Sequence, residues 1–138
     1  MNRRTLILSA GATLVLPALP AFAAPLDYTP GLTKERLDAG ETVFLDFKAS
    51  WCGTCRAQER VLTDLKKQNS AYEQNITFIN VDWDTYGTSE MAARMKIPRR
   101  STLVVLKGKQ EIGRLVADTS ERNIKKLMDA ALTAATSA

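Results

Sequence analysis

From Val43 the chain runs Val-Phe-Leu-Asp-Phe, a nearly continuous apolar stretch with one acid inside it. Such a run marks a strand covered on both faces. Ile76 to Val81 (Ile-Thr-Phe-Ile-Asn-Val) predicts a second strand. Between them, from Cys52 onward, Gln58, Val61, Leu62 and Leu65 recur on one face at helical spacing, with Glu59, Arg60, Lys66 and Lys67 elsewhere; Asn69 and Ser70 end this helix. Thr33 to Ala39 predicts a shorter helix, capped by Thr33 and stopped by Gly40. Asp82 to Gly87 reads as a polar loop into a helix over Ser89 to Met95. Alternating strands and helices imply a parallel core.

The C-terminal part has another rhythm. Thr102 to Leu106 and Gln110 to Val116 flank Lys107-Gly108-Lys109, a hairpin signal with glycine in the turn. A last helix is predicted to start near Thr119. Asp118 and Glu121 have capping-box spacing there, and Ile124, Leu127, Met128 and Leu132 form an apolar face. The pattern predicts an α/β fold whose central mixed sheet combines a parallel core with a C-terminal antiparallel hairpin, flanked by helices. No repeat, low-complexity linker or second domain is visible.

Length and composition sharpen this. A chain of 138 residues with 45% hydrophobic content is ordinary for one globular domain. Residues 1–24 stand apart: Asn2-Arg3-Arg4 is cationic, Thr5 to Pro20 is mostly apolar, and Ala21-Phe22-Ala23 has the small-x-small form of a cleavage site. We read them as a cleaved export signal, leaving residues 25–138 as the mature domain. The apolar stretch contains Pro17 and Pro20 and is shorter than the about 20 residues of a spanning helix. Arg3-Arg4 leaves the twin-arginine and ordinary routes both open. Loss of Arg3 and Arg4, with no acid lost, lowers the net charge from +4 to +2. That balance gives no argument for nucleic acid as a partner.

Both cysteines, Cys52 and Cys55, fall in the mature part, within Trp51-Cys52-Gly53-Thr54-Cys55. In an oxidising compartment two cysteines normally pair. As a structural staple this bridge would do little, because chain-entropy stabilisation grows with the loop enclosed. Its use is reactivity. At a helix start, the Cys52 sulfur faces unsatisfied N–H groups that favour thiolate, the nucleophile in exchange. Cys55, one turn inward, can then attack Cys52 and release a reduced substrate. Zinc sites use the same spacing, but they need four ligands, usually Cys or His, and the chain holds no histidine and no third cysteine, which nearly excludes a mononuclear zinc site within one chain. A metal or iron–sulfur centre shared between two chains stays as an alternative. The expected prosthetic chemistry is none beyond the Cys52–Cys55 disulfide.

From Val43 to Arg56, Val-Phe-Leu-Asp-Phe-Lys-Ala-Ser-Trp-Cys-Gly-Thr-Cys-Arg closely resembles the active-site strand and helix start of the thioredoxin family, and the likeness covers most of the mature chain. The resemblance implies the thioredoxin fold and protein thiol–disulfide oxidoreductase activity. It puts Asp46 on the family's buried acid, which is thought to assist proton transfer from the inner thiol; a lone buried acid is costly and its pKa is expected to rise. Trp51, Gly53 and Thr54 surround the dithiol, and Lys48 stands where an aromatic residue is usual, either favouring thiolate or simply solvated. The family's cis-proline precedes a threonine and an apolar strand. Pro98 is one match, but gapless counting back from Thr102 and its strand puts Ser101 there. With serine, the preceding peptide is expected to be trans. Arg100, Ser101 and Thr102 then form the substrate-docking edge, with Arg99 and Arg100 either attracting acidic partners or serving as plain surface charge. A hydroxyl at 101 also removes the proline thought to keep metals off the dithiol.

Between Cys55 and Ser101 lie 45 residues, room for helix, strand and helix but not for the insertions of DsbA-like oxidants, DsbC-like isomerases or cytochrome-maturation reductants. Gly53-Thr54 and the absence of histidine remove the device that makes DsbA-like and PDI-like motifs strongly oxidising. A periplasmic or otherwise exported reductant is expected, acting on protein thiols or disulfides, monomeric, and recharged by a membrane electron donor of the DsbD or CcdA type. The alternatives are a disulfide oxidant and a binding module that has lost turnover.

Overall fold

The computed structural model describes residues 11–14 and 24–137; the export-signal reading of residues 1–24 lies almost wholly outside them. One five-stranded sheet organises the chain in the order β1-β3-β2-β4-β5, with β1 (Leu26–Asp27), β2 (Thr42–Lys48), β3 (Ile76–Asp82), β4 (Thr102–Lys107) and β5 (Gln110–Val116). β3 runs parallel to β1 and β2, whereas β4 is antiparallel to β2 and β5. The fold is therefore the mixed sheet read from the sequence. Gly108, at φ 56°, turns the β4–β5 hairpin, and a bulge follows Val105.

Alternation along β2 splits the core. Val43, Leu45 and Phe47 join Ile79, Val81 and Val104 on one face, beneath α1 (Leu32–Asp38) and α5 (Glu90–Arg94). Phe44 faces the other way, packing with Leu62 and Leu65 of α2 (Gly53–Gln68) and Ile124, Leu127 and Met128 of α6 (Glu121–Thr136). Burying each such large side chain contributes about 1.5–3 kcal/mol. Asp46 shares the parity of Phe44 and so lies on the α2 side.

Helix ends depart from expectation. Gly31, at φ 92°, rather than Thr33, precedes α1, and Thr33 is buried inside the helix. Ser120 caps α6 by accepting from the Asn123 N–H, while Asp118 accepts from the Ser120 N–H one step earlier. After Asn69 and Ser70 the chain makes a further short helix, α3 (Ala71–Asn75), and the expected polar loop contains α4 (Trp83–Tyr86). Helices this short offer too few residues for a period to show. No helix among the described residues is long and apolar enough to cross a membrane.

The topology assembles the site. Because β2 and β4 are antiparallel neighbours, the start of β4 meets the end of β2, where the chain turns into α2. The Ser101 N–H donates to the Phe47 carbonyl at 2.7 Å, which fixes this junction.

Candidate active site

Cys52 is the N-cap of α2, in extended backbone conformation, and its sulfur accepts from the Cys55 N–H at 3.1 Å. Cys52 and Cys55 form a disulfide with their Cα atoms 5.2 Å apart. The same N–H, with the positive end of the 16-residue helix behind it, would hold charge on Cys52 once the bridge is reduced. Both cysteines are buried, packed with Ala49 and Trp83. What meets solvent is the rim, Trp51 and Gly53, with Thr54 half-buried. A side chain at Gly53 would touch nothing, so glycine there leaves the approach open rather than answering a steric demand.

Ser101 is wholly buried, and its Oγ lies 3.1 Å from the Cys52 sulfur and 3.2 Å from that of Cys55. No cis peptide occurs among the described residues, and Ser101 itself has φ 62°. Its carbonyl accepts from the Ala117 N–H at 2.8 Å and from Gln58 Nε2 at 3.0 Å. Thr102 turns away from the sulfurs, its hydroxyl donating to the Arg99 carbonyl. Pro98 stands three residues earlier and is exposed. The Arg100 guanidinium stacks 4.4 Å over the Trp51 ring, whose indole N–H donates to the Asp84 carboxylate at 3.0 Å. Arg99 folds back on its own loop, donating to the Arg100 carbonyl.

Beneath the helix, Asp46 is 6% exposed and its Oδ1 has no partner. Burial, with a further contribution from Glu59, pushes its carboxyl up to about 6 against the pull of Lys48 and Lys66. It borders a cavity of about 490 Å³ that is also lined by Lys48, Glu59, Leu62 and Lys66. Lys48 pairs with Glu59 at 3.1 Å, so the lysine faces this cavity mouth with its charge already matched. Burial also lowers the Lys66 ammonium.

Three contributors escaped the sequence reading. Gln58 is a wholly buried polar side chain on an otherwise apolar helix face, donating to the carbonyls of Ser101 and Asp118; its polarity at that position was the signal. Trp83 and Asp84 were assigned to a polar loop, yet one packs on the dithiol and the other holds Trp51.

A paired dithiol at a helix start, over a buried acid and in this strand order, is accompanied by a match of the family model Thioredoxin to residues 31–130. The chain belongs to the thioredoxin family. Thioredoxin H2-1 of Oryza sativa subsp. japonica is 32% identical over 97 residues, covering 68% of this chain and 66% of the rice protein. The H-type thioredoxin of Fagopyrum esculentum is 31% identical over 90 residues, covering 65% and 72%. Among solved structures, Trxlp of Edwardsiella tarda superposes with a TM-score of 0.66 at 25% identity, covering 76% of this chain and 98% of that one. The thioredoxin match and the Cys52–Cys55 pair support protein thiol–disulfide oxidoreductase activity.

Proposed function

We propose that the mature chain, residues 25–138, is an exported thioredoxin-family reductant of protein disulfides. The observation that carries the exchange chemistry is Cys52 at the N-cap of α2, bridged to Cys55 above the buried Asp46. The Cys52 thiolate attacks a partner's disulfide, breaking it and forming a mixed disulfide while one partner sulfur leaves as thiolate. Cys55, its proton taken by Asp46, attacks the Cys52 sulfur and releases the second partner sulfur; the Cys52–Cys55 bridge closes and the partner is reduced by two electrons. Asp46 suits that role because burial holds it near neutrality, at about 6.

The surroundings of the sulfurs favour the reducing direction. No histidine exists to hold the Cys52 thiolate, and the two residues between the cysteines are Gly53 and Thr54, so the reduced form lacks the stabilisation that strong oxidants have. The cationic start, apolar stretch and small-x-small site of residues 1–24 support export. A reductant working in an oxidising compartment needs electrons from outside it, and a membrane donor of the DsbD or CcdA type would supply them. Docking of an extended partner segment falls to Arg100 and the residues before it, because the Ser101 N–H and carbonyl are both engaged internally. Thr102 then supports the edge from within β4.

The test is the reduction potential of the dithiol, equilibrated against redox buffers and read by free-thiol count and tryptophan fluorescence. A value near −270 mV, about that of thioredoxin, is expected; one near −120 mV would make the protein an oxidant and overturn the direction proposed.

A further inference from the structure

We infer that Ser101 is a catalytic residue whose hydroxyl hydrogen-bonds the sulfur carrying negative charge at each stage of exchange. The inference deepens the exchange reading above and rests on it. In the oxidised form neither sulfur carries a proton, so of the two groups only the serine O–H can donate, and it stands 3.1 Å and 3.2 Å from the two acceptors. Rotation about one side-chain bond directs it to either. Ser101 is wholly buried, so no solvent competes for the proton and the low local dielectric strengthens the bond to a charged sulfur.

The backbone holds the hydroxyl in place. A φ of 62° is unfavourable for a residue other than glycine, and three hydrogen bonds impose it: Ser101 N–H to Phe47, and Ala117 N–H and Gln58 Nε2 to the Ser101 carbonyl. A strained, fully buried serine aimed at two reacting atoms is the kind of outlier from which a functional role is inferred.

When Cys52 is the free thiolate, it accepts from Ser101 O–H and from the Cys55 N–H. Once Cys52 is bound in the mixed disulfide, its charge has left on the partner's departing thiolate; when Asp46 takes the Cys55 proton, the new thiolate is on Cys55 and the hydroxyl turns to it. The serine keeps its proton throughout and forms no covalent bond; the electron pair that closes the bridge moves from the Cys55 sulfur to that of Cys52. Other charged groups on the surrounding elements are Asp46 and Lys48 of β2, Arg56 and Glu59 of α2, Asp84 of α4, Asp118 before α6, and Arg99 and Arg100 of the loop. Lys48 is paired with Glu59, Arg56 reaches the Ser50 carbonyl, Arg100 stacks on Trp51, Arg99 bonds the Arg100 carbonyl, Asp84 holds the Trp51 indole and Asp118 accepts from Ser120. Asp46 lies beneath, and its ionisation would raise the proton affinity of the sulfurs rather than lower it.

The experiment titrates the Cys52 thiolate by its ultraviolet absorbance in Cys55→Ala protein, with and without Ser101→Ala or Ser101→Gly. Alanine keeps the Cβ; glycine removes it and accepts the positive φ without strain, so one of the two folds even where the other is compromised. Both are expected to raise the proton affinity of Cys52 about tenfold, since a bond to a charged group has been lost. With both cysteines present, each should shift the dithiol equilibrium about tenfold toward the disulfide, near 30 mV more reducing. A Cys52 titration unmoved in a folded Ser101 variant overturns the inference. Insulin reduction by the parent protein is followed in parallel: its absence would count against the exchange reading alone, because the titration does not depend on turnover.

Discussion

Asp46→Asn isolates the electrostatic consequence of burying an acid without a partner on one oxygen. Burial raises the carboxyl from 3.8 to about 6. For an acid whose pKa is higher folded than unfolded, the native state binds more protons between those two values, so stability must fall as pH rises through that window and level off above it. At about 1.4 kcal/mol per pH unit, the window corresponds to roughly 3 kcal/mol. Asparagine has the same shape and no titration, so it removes the slope, whatever constant offset its amide adds. Urea unfolding of the oxidised wild type and Asp46→Asn, at steps from pH 4 to pH 8, measures this directly. The wild type is expected to lose about 2 kcal/mol of this relative to the variant between pH 4, where the unfolded acid is already partly ionised, and pH 7, with little change beyond. A difference independent of pH would refute the reasoning. Disulfide reduction by Asp46→Asn should also be slower near neutrality, since the proposed acceptor of the Cys55 proton is gone.

Gln58→Leu removes the Nε2 donor to the Ser101 and Asp118 carbonyls, but it also removes Oε1, which is buried with no partner. These opposing effects are each about 1–3 kcal/mol, so stability should change by about 1 kcal/mol or less. Exchange should nevertheless slow several-fold, and the Cys52 titration should move in the direction expected for Ser101→Ala; wild-type rates and titration would contradict this. A Cβ at Gly87 would lie 2.7 Å from the Trp83 carbonyl oxygen and 2.8 Å from its ring. Gly87→Ala should therefore destabilise by about 1–3 kcal/mol through overpacking, and it should disturb Trp83 fluorescence beside the dithiol; urea unfolding at wild-type stability would refute it.

Four of the five strands were legible, β2 and β3 because they are covered on both faces and so read as apolar runs, and the β4–β5 hairpin because glycine marks its turn; the segment holding β1, only two residues long, reads as irregular. Helix α2 has turns enough for its period to emerge, which α3 and α4 lack. Helix starts were harder: Thr33 and Asp118 have capping chemistry, yet Gly31 and Ser120 hold the N-cap positions, since backbone geometry rather than residue type decides which neighbour does so. At the site, the spacing of Cys52 and Cys55 was local, and the apolar pattern of β4 favoured Ser101 over Pro98 without deciding between them; the hydrogen bond from the Ser101 N–H to the Phe47 carbonyl puts Ser101 opposite the end of β2. The stack of Arg100 on Trp51, the Asp84 bond and the reach of Gln58 to two carbonyls join residues far apart in the chain. No local pattern encodes them; they follow only once β3 and β4 are laid against the two edges of β2.

In the proposed exchange Cys52 is the attacking sulfur and Cys55 the resolving one. Mass spectrometry of single-cysteine proteins mixed with a disulfide-bonded substrate tests it most directly. Cys55→Ala should accumulate a stable mixed disulfide at Cys52, and Cys52→Ala should form little in the same time, because Cys55 is not the helix N-cap. Faster capture by Cys55, or no adduct with either protein, would contradict the account.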